Sequence, residues 1–192
     1  MNHPAELKVH QYMSDAVNGK STMSEEVIDQ VGNDVKDALR KQFGGGNQRG
    51  EFRLRMSNLG RPTCQLWFEK NKPELASPKP NNFMINMMLG DIVEAVFKGL
   101  LRGAGVKYEE PEHVSLDVDG TTISGTYDLV VDGAVDDVKS ASGWSYDNKF
   151  VNYETLREGD AFGYVSQLIG YAKAAKKKIG GWWVVNKANG KF

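Results

Sequence analysis

Asp128, Asp137 and Lys139 lie within "YDLVVDGAVDDVKS", residues 127–140, where two short hydrophobic runs flank Asp132-Gly133. Asp-Gly is among the strongest two-residue hairpin signals. With those residues as the turn, Val131 pairs with Ala134, Asp128 falls opposite Asp137, and Thr126 opposite Lys139. Side chains alternate along a strand, so Asp128, Asp137 and Lys139 share one face. Opposed carboxylates have Cβ atoms about 4.5–5.5 Å apart and repel each other. A divalent cation removes the repulsion, and hard oxygen ligands at that separation suit Mg2+ or Mn2+. An ammonium beside the metal orients or activates a water, or stabilises charge growing on a phosphate. The other face carries Tyr127, Leu129, Val131, Ala134 and Val138, with Asp136 given no role. The competing reading is an exposed hairpin whose Asp137 and Lys139 are surface charges.

Two helices extend the set. Glu94, in the apolar "LGDIVEAVFKG", is either a third metal-binding carboxylate or a solvent-facing glutamate sharing its face with Asp91. Gln167 and Tyr171 stand at i and i+4 on one helix face, suited to holding a phosphate or orienting the lysine, or else an ordinary boundary pair. The lysines at 173, 176, 177 and 178 either complement a helix C-terminus or contact DNA.

The elements that must position these residues are readable in outline. Residues 1–20 read as loosely ordered, within an N-terminal extension (1–50) that carries one amphipathic helix. Thr22-x-x-Glu25 is a capping box ahead of Val27, Ile28, Val31, Val35 and Leu39, and Gly44-Gly45-Gly46-Asn47 ends that helix. The core domain spans 51–192. In "EFRLRMS", Phe52, Leu54 and Met56 alternate with Arg53 and Arg55, the period of a half-buried strand or extended segment. Pro62 opens a short helix through Trp67 and Phe68, and "NKPELASPKPNN" reads as a loop. Phe83, Met84, Met88, Leu89, Ile92, Val96, Phe97 and Leu101 mark a long helix. Strand-like runs follow at 113–118, 121–131 (bent near Gly125) and 134–140, separated by Asp119-Gly120 and Asp132-Gly133. A helix over 160–177 turns Phe162, Val165, Leu168, Ile169 and Ala172 inward, and "GWWVVN" is a final strand.

Composition excludes several classes. The 192 residues carry a net charge of −1, with 40% hydrophobic and 26% charged residues, so there is no global basic signature of a nucleic-acid binder. A single cysteine, Cys64, excludes a disulfide framework, a cysteine-ligated zinc site and a four-cysteine iron–sulfur cluster, and suits a reducing cytoplasm. His3, His10 and His113 lack metal-ligand spacing. The first twenty residues have no apolar core of a signal peptide. Asp91, Glu94 and Lys98 interrupt the 83–101 stretch, which is therefore no membrane span.

The ordered set Glu94, Asp128, Asp137-Val138-Lys139 and Gln167-x-x-x-Tyr171 resembles the PD-(D/E)XK nuclease superfamily, in its RecB-like branch with lambda-type phage exonucleases. The upstream "RMSNLGRPTCQLWFEK" is similar to the segment preceding the core in tailed-phage exonucleases. The resemblance covers about residues 52–187. It implies an αβββαβ restriction-endonuclease-like core of the α/β (α+β) class, a mixed sheet flanked by helices. It implies that Glu94, Asp128, Asp137 and the Val138 carbonyl bind Mg2+ or Mn2+, that Lys139 is catalytic, and that Gln167 and Tyr171 assist at the phosphate. No iron–sulfur cluster is expected.

The implied activity is metal-dependent hydrolysis of DNA by an exonuclease, in phage-type recombination, repair or degradation. DNA is the implied substrate and partner, with a single-strand annealing or recombination protein, or further copies of the chain, as other partners. Arg53, Arg55, Arg61 and Lys70 are candidates for phosphate contact, or else line a solvated face. A catalytically silent DNA-binding subunit and an endonuclease of the same fold are the alternatives.

Overall fold

The opening residues, expected to be loose, form a helix. The computed structural model describes residues 3–44 and 52–192; the glycine run 45–46, Asn47 and Glu51 lie outside them. Along the chain come α1 (Pro4–Val17), α2 (Glu25–Phe43), α3 (Thr63–Asn71) and α4 (Asn82–Gly103). Then follow β1 (Tyr108–Glu109), β2 (His113–Val118), β3 (Thr121–Thr126), β4 (Leu129–Val131) and β5 (Ala134–Ala141). The chain closes with α5 (Gly143–Asn148), α6 (Tyr153–Glu158), α7 (Tyr164–Ala175) and β6 (Lys178–Asn186). The class is mixed α/β, as expected. Two compact units divide it: residues 1–48 with 80–107, and residues 49–79 with 108–192.

In the first unit, α1 forms because Pro4 suits a first helical position and His3 Nδ1 accepts the Ala5 N–H at 3.1 Å. Ala5, Val9 and Tyr12, spaced at helical intervals, are buried. The cap of α2 is Ser24, whose Oγ accepts the Val27 N–H, rather than the expected Thr22. Against α2 packs α4, burying Ala95, Phe97 and Leu101. Asp91 serves that packing, accepting from Lys41 at 3.1 Å and Gln42 at 2.7 Å. Met84, Leu89 and Val96 are exposed. Among the described residues, no helix is long and apolar enough to cross a membrane.

In the second unit, a four-stranded sheet has the order β1-β4-β5-β6, with β5 and β6 parallel and the other pairs antiparallel. β2 and β3 form a separate hairpin. Both Asp-Gly turns occur where expected, with positive φ at Asp119, Gly120, Asp132 and Gly133. The anticipated strand 121–131 does not run through. β3 pairs along its whole length with β2, so Thr126 faces His113 and not Lys139, and the chain leaves the ladder at Tyr127 and Asp128. Tyr127 consequently packs with Val130 and Val135 rather than with Leu129 and Val131.

"EFRLRMS" yields an extended segment with one isolated bridge, Arg55 to Ser124, followed by a 3-10 turn over Met56–Asn58. Its alternation is retained: Met56 is buried while Arg53 and Arg55 are exposed. α3 starts after Pro62, as expected, with Trp67 and Phe68 exposed. Between β5 and the sixth strand the chain inserts α5 and α6, and α7 begins later than the pattern suggested. Gly163 takes φ 75°, and the Asp160 carboxylate accepts from the Tyr164 and Val165 N–H groups. Phe162 is thereby left outside the helix and 54% exposed, and Ile169 is also exposed; Leu168 and Ala172 are buried as anticipated.

Asp136, assigned no role from sequence, is buried and bound to β6. It accepts from the Gly181 N–H at 2.8 Å and from Trp183 Nε1 at 2.9 Å. The β5–β6 register shifts there, and a Cβ on Gly180 would collide with the Asp136 carboxylate.

Candidate active site

The hairpin register is the one the Asp-Gly turn dictates: Val131 faces Ala134 and Leu129 faces Asp136. One step beyond the last paired residues come Asp128 and Asp137, whose charges both act on Lys139. The Asp128 Oδ2 accepts the Val138 N–H at 2.8 Å. Lys139 Nζ lies 2.6 Å from Asp137 Oδ2, with the Asp137 side chain 5% and the Lys139 side chain 21% exposed. Both carboxylates and the lysine therefore meet at one end of the hairpin, as the sequence implied.

Burial pushes the Lys139 ammonium toward losing its proton, but the Asp137 and Asp128 charges and the Asp137 hydrogen bond outweigh it. Its pKa is held above the ordinary lysine value. An ammonium held this way suits stabilisation of negative charge.

From α7, Tyr171 and Gln167 come to the same place. Burial raises the Tyr171 phenol, a hydrogen bond with Gln167 lowers it, and the Asp128, Asp137 and Lys139 charges all act on it. Tyr164, which sequence reasoning missed, lies with its ring centroid 5.5 Å from Lys139 Nζ. Its phenol is raised first by burial and lowered by Lys139. The legible signal was its spacing, one face of α7 holding Tyr164, Gln167, Leu168 and Tyr171. Arg61 also acts electrostatically on Tyr164, and its Nε is buried with no hydrogen-bond partner among the described residues.

The remaining predicted residues fall elsewhere. Arg53, Arg55 and Lys70 are exposed, Lys70 on α3. Lys177 is tied to the Glu109 carboxylate at 2.9 Å. Glu94 lies on α4, in the first unit, where its Oε1 accepts from Lys98. Among the described residues, no group of three or more histidines, cysteines or acids gathers into a metal cluster. The second unit supplies two carboxylates, Asp128 and Asp137, as hard oxygen donors of the type Mg2+ and Mn2+ take.

No protein-family model and no curated protein matches the chain. The crystal structure of SSO0001 is similar, with a TM-score of 0.50 at 16% sequence identity, over 82% of this chain and 73% of that chain. At that identity the likeness is one of fold.

Proposed function

We propose that the chain is a metal-dependent deoxyribonuclease, acting as an exonuclease on DNA. The observation that carries this reading is the meeting of Asp128, Asp137 and Lys139: two carboxylates in one place with a half-buried cation beside them. Each acid has a structural partner, Asp128 the Val138 N–H and Asp137 the Lys139 ammonium, but neither partner offsets the repulsion between the two carboxylates as a bound divalent ion does. The donor set fits a divalent ion, held by Asp128, Asp137 and the Val138 carbonyl; Glu94 is added by the sequence pattern, and its role is tested separately. Such an ion supplies, when bound, a water of lowered pKa and neutralisation of phosphate charge.

The chain's own residues supply the rest. Lys139 stays protonated and stabilises negative charge on the phosphate oxygens. Asp137 fixes the ammonium by the 2.6 Å contact. Gln167 and Tyr171 offer an amide and a phenol at the same phosphate. Arg53, Arg55, Arg61 and Lys70 hold the backbone of the substrate without reading sequence.

The test is a time course on 5′- and 3′-labelled linear DNA and on circular DNA, with Mg2+ or Mn2+ present and then chelated. Degradation from ends that needs metal and vanishes in Lys139→Ala and Asp137→Ala supports the reading. Cleavage of circles shifts it to an endonuclease. Binding without any cleavage, unchanged by Asp137→Ala, overturns it in favour of a silent DNA-binding subunit.

A further inference from the structure

We infer that the segment between β5 and α7 forms a track for an unpaired DNA strand, leading from solvent to Lys139. The inference rests on the nuclease reading above and names the form of its substrate.

Aromatic rings and lysines lie in sequence along this surface. Trp144, on α5, is 65% exposed and Phe162 is 54% exposed. Lys149 Nζ lies 5.9 Å from the ring centroid of each, so one ammonium bridges two exposed rings. Phe162 in turn stacks on Tyr164, with centroids 5.7 Å apart and planes 24° apart. Phe150 also meets Tyr164 at 5.7 Å, with the planes 33° apart. The Tyr164 ring carries Lys139 Nζ at 5.5 Å. The series Trp144, Lys149, Phe162, Tyr164, Lys139 is thus continuous from open surface to the candidate catalytic ammonium.

Large exposed rings beside a cation are poorly explained by packing, since their apolar area stays in water. They suit a polymer whose repeating unit is a flat π-face joined to a phosphate. Bases stack on aromatic side chains without regard to sequence, and lysines between the rings meet the phosphates. A base pair within a duplex has both faces occupied by its neighbours, so only an unpaired strand uses such a track. The occupant is therefore single-stranded DNA, delivered with its phosphates toward Lys139. Phe150 also lines a cavity of about 230 Å³ with Tyr153 and Trp182, and Trp182 pairs in register with Asp137, which extends the aromatic surface alongside the acid.

Fluorescence anisotropy of a labelled oligothymidylate and of a matched duplex, on the full chain with chelator present, tests this. The single strand binds more tightly than the duplex, and Trp144→Ala and Phe162→Leu each weaken it about tenfold, while Phe162→Trp preserves it. Lys149→Ala flattens the salt dependence. Both rings are exposed, so thermal melting of these variants matches the parent. Equal binding of duplex and single strand overturns the inference. So does parental affinity in Phe162→Leu, which keeps apolar area and removes stacking, and which would mark a protein-docking patch instead. Tight single-strand binding through Trp144 and Phe162 without any hydrolysis leaves the track standing and removes the nuclease reading. Hydrolysis with strand binding indifferent to both rings does the reverse.

Discussion

The side chain of Asp128 completes a hydrogen bond that the main chain has abandoned. β4 pairs with β5 only over Leu129–Val131, and beyond that the Asp128 Oδ2 takes the Val138 N–H at 2.8 Å. One carboxylate oxygen thereby acts as a strand surrogate and fixes the Asp128 side chain against β5. The bond also explains how a strand can break at residues 127–128 without leaving that amide unsatisfied.

Two roles of Asp128 therefore separate by substitution. Asp128→Asn retains an acceptor for Val138, so its urea midpoint stays close to the parent while hydrolysis is lost. Asp128→Ala loses hydrolysis too, and also costs about 1–3 kcal/mol because the amide is left unpaired. Equal stability in the two variants would contradict the surrogate role.

The Asp137–Lys139 pair behaves differently. Removing Asp137 leaves the half-buried Lys139 with the Asp128 charge alone, so Asp137→Ala destabilises by about 1–3 kcal/mol in denaturant unfolding. The double variant Asp137→Ala, Lys139→Met recovers most of that loss, since neither charge remains. On the nuclease reading, hydrolysis is absent in single and double variants alike, which separates the proposed catalytic demand for the pair from its effect on stability.

Tyr127 sets an alkaline limit on stability. Its phenol is pushed up to about 12, first by burial and then by the hydrogen bond to Glu112. A group with a raised folded pKa contributes stability that is complete below its unfolded value, near 10, and lost as pH rises toward 12. The parent should lose unfolding free energy between those values, and Tyr127→Phe should show a shallower decline over the same range.

Glu94 rests on the sequence pattern and is tested by itself. Its carboxylate accepts from the buried Lys98 within α4. As a metal-binding acid, Glu94→Gln, which keeps an acceptor for Lys98, loses most metal-dependent hydrolysis while melting near the parent temperature. Retained hydrolysis in that variant would leave Glu94 with the ion pair alone.

What was readable without coordinates came from short-range chemistry. An Asp-Gly pair needs positive φ at both positions, and a strand alternates its side chains with period two. Those two local rules are enough to predict Asp128, Asp137 and Lys139 close together, and in the structure Lys139 contacts Asp137 and feels the Asp128 charge. The helix spacing of Gln167 and Tyr171 is local in the same sense, and so is the apolar pattern behind α4.

Tertiary structure decided whatever depends on residues distant along the chain. Asp136 looks idle in its own strand because its donors, Gly181 and Trp183, come from β6. The strand through 127–128 breaks because β3 stays paired with β2 up to Thr126, and which of two local hairpins keeps those residues is settled only in the folded sheet. Tyr164 reaches Lys139 only once α7 has packed on the sheet, and the exposed rings of Trp144 and Phe162 acquire a direction only from that contact. Turn and strand periodicity are properties of neighbours in sequence, whereas a charge's partner and a ring's companion are properties of packing.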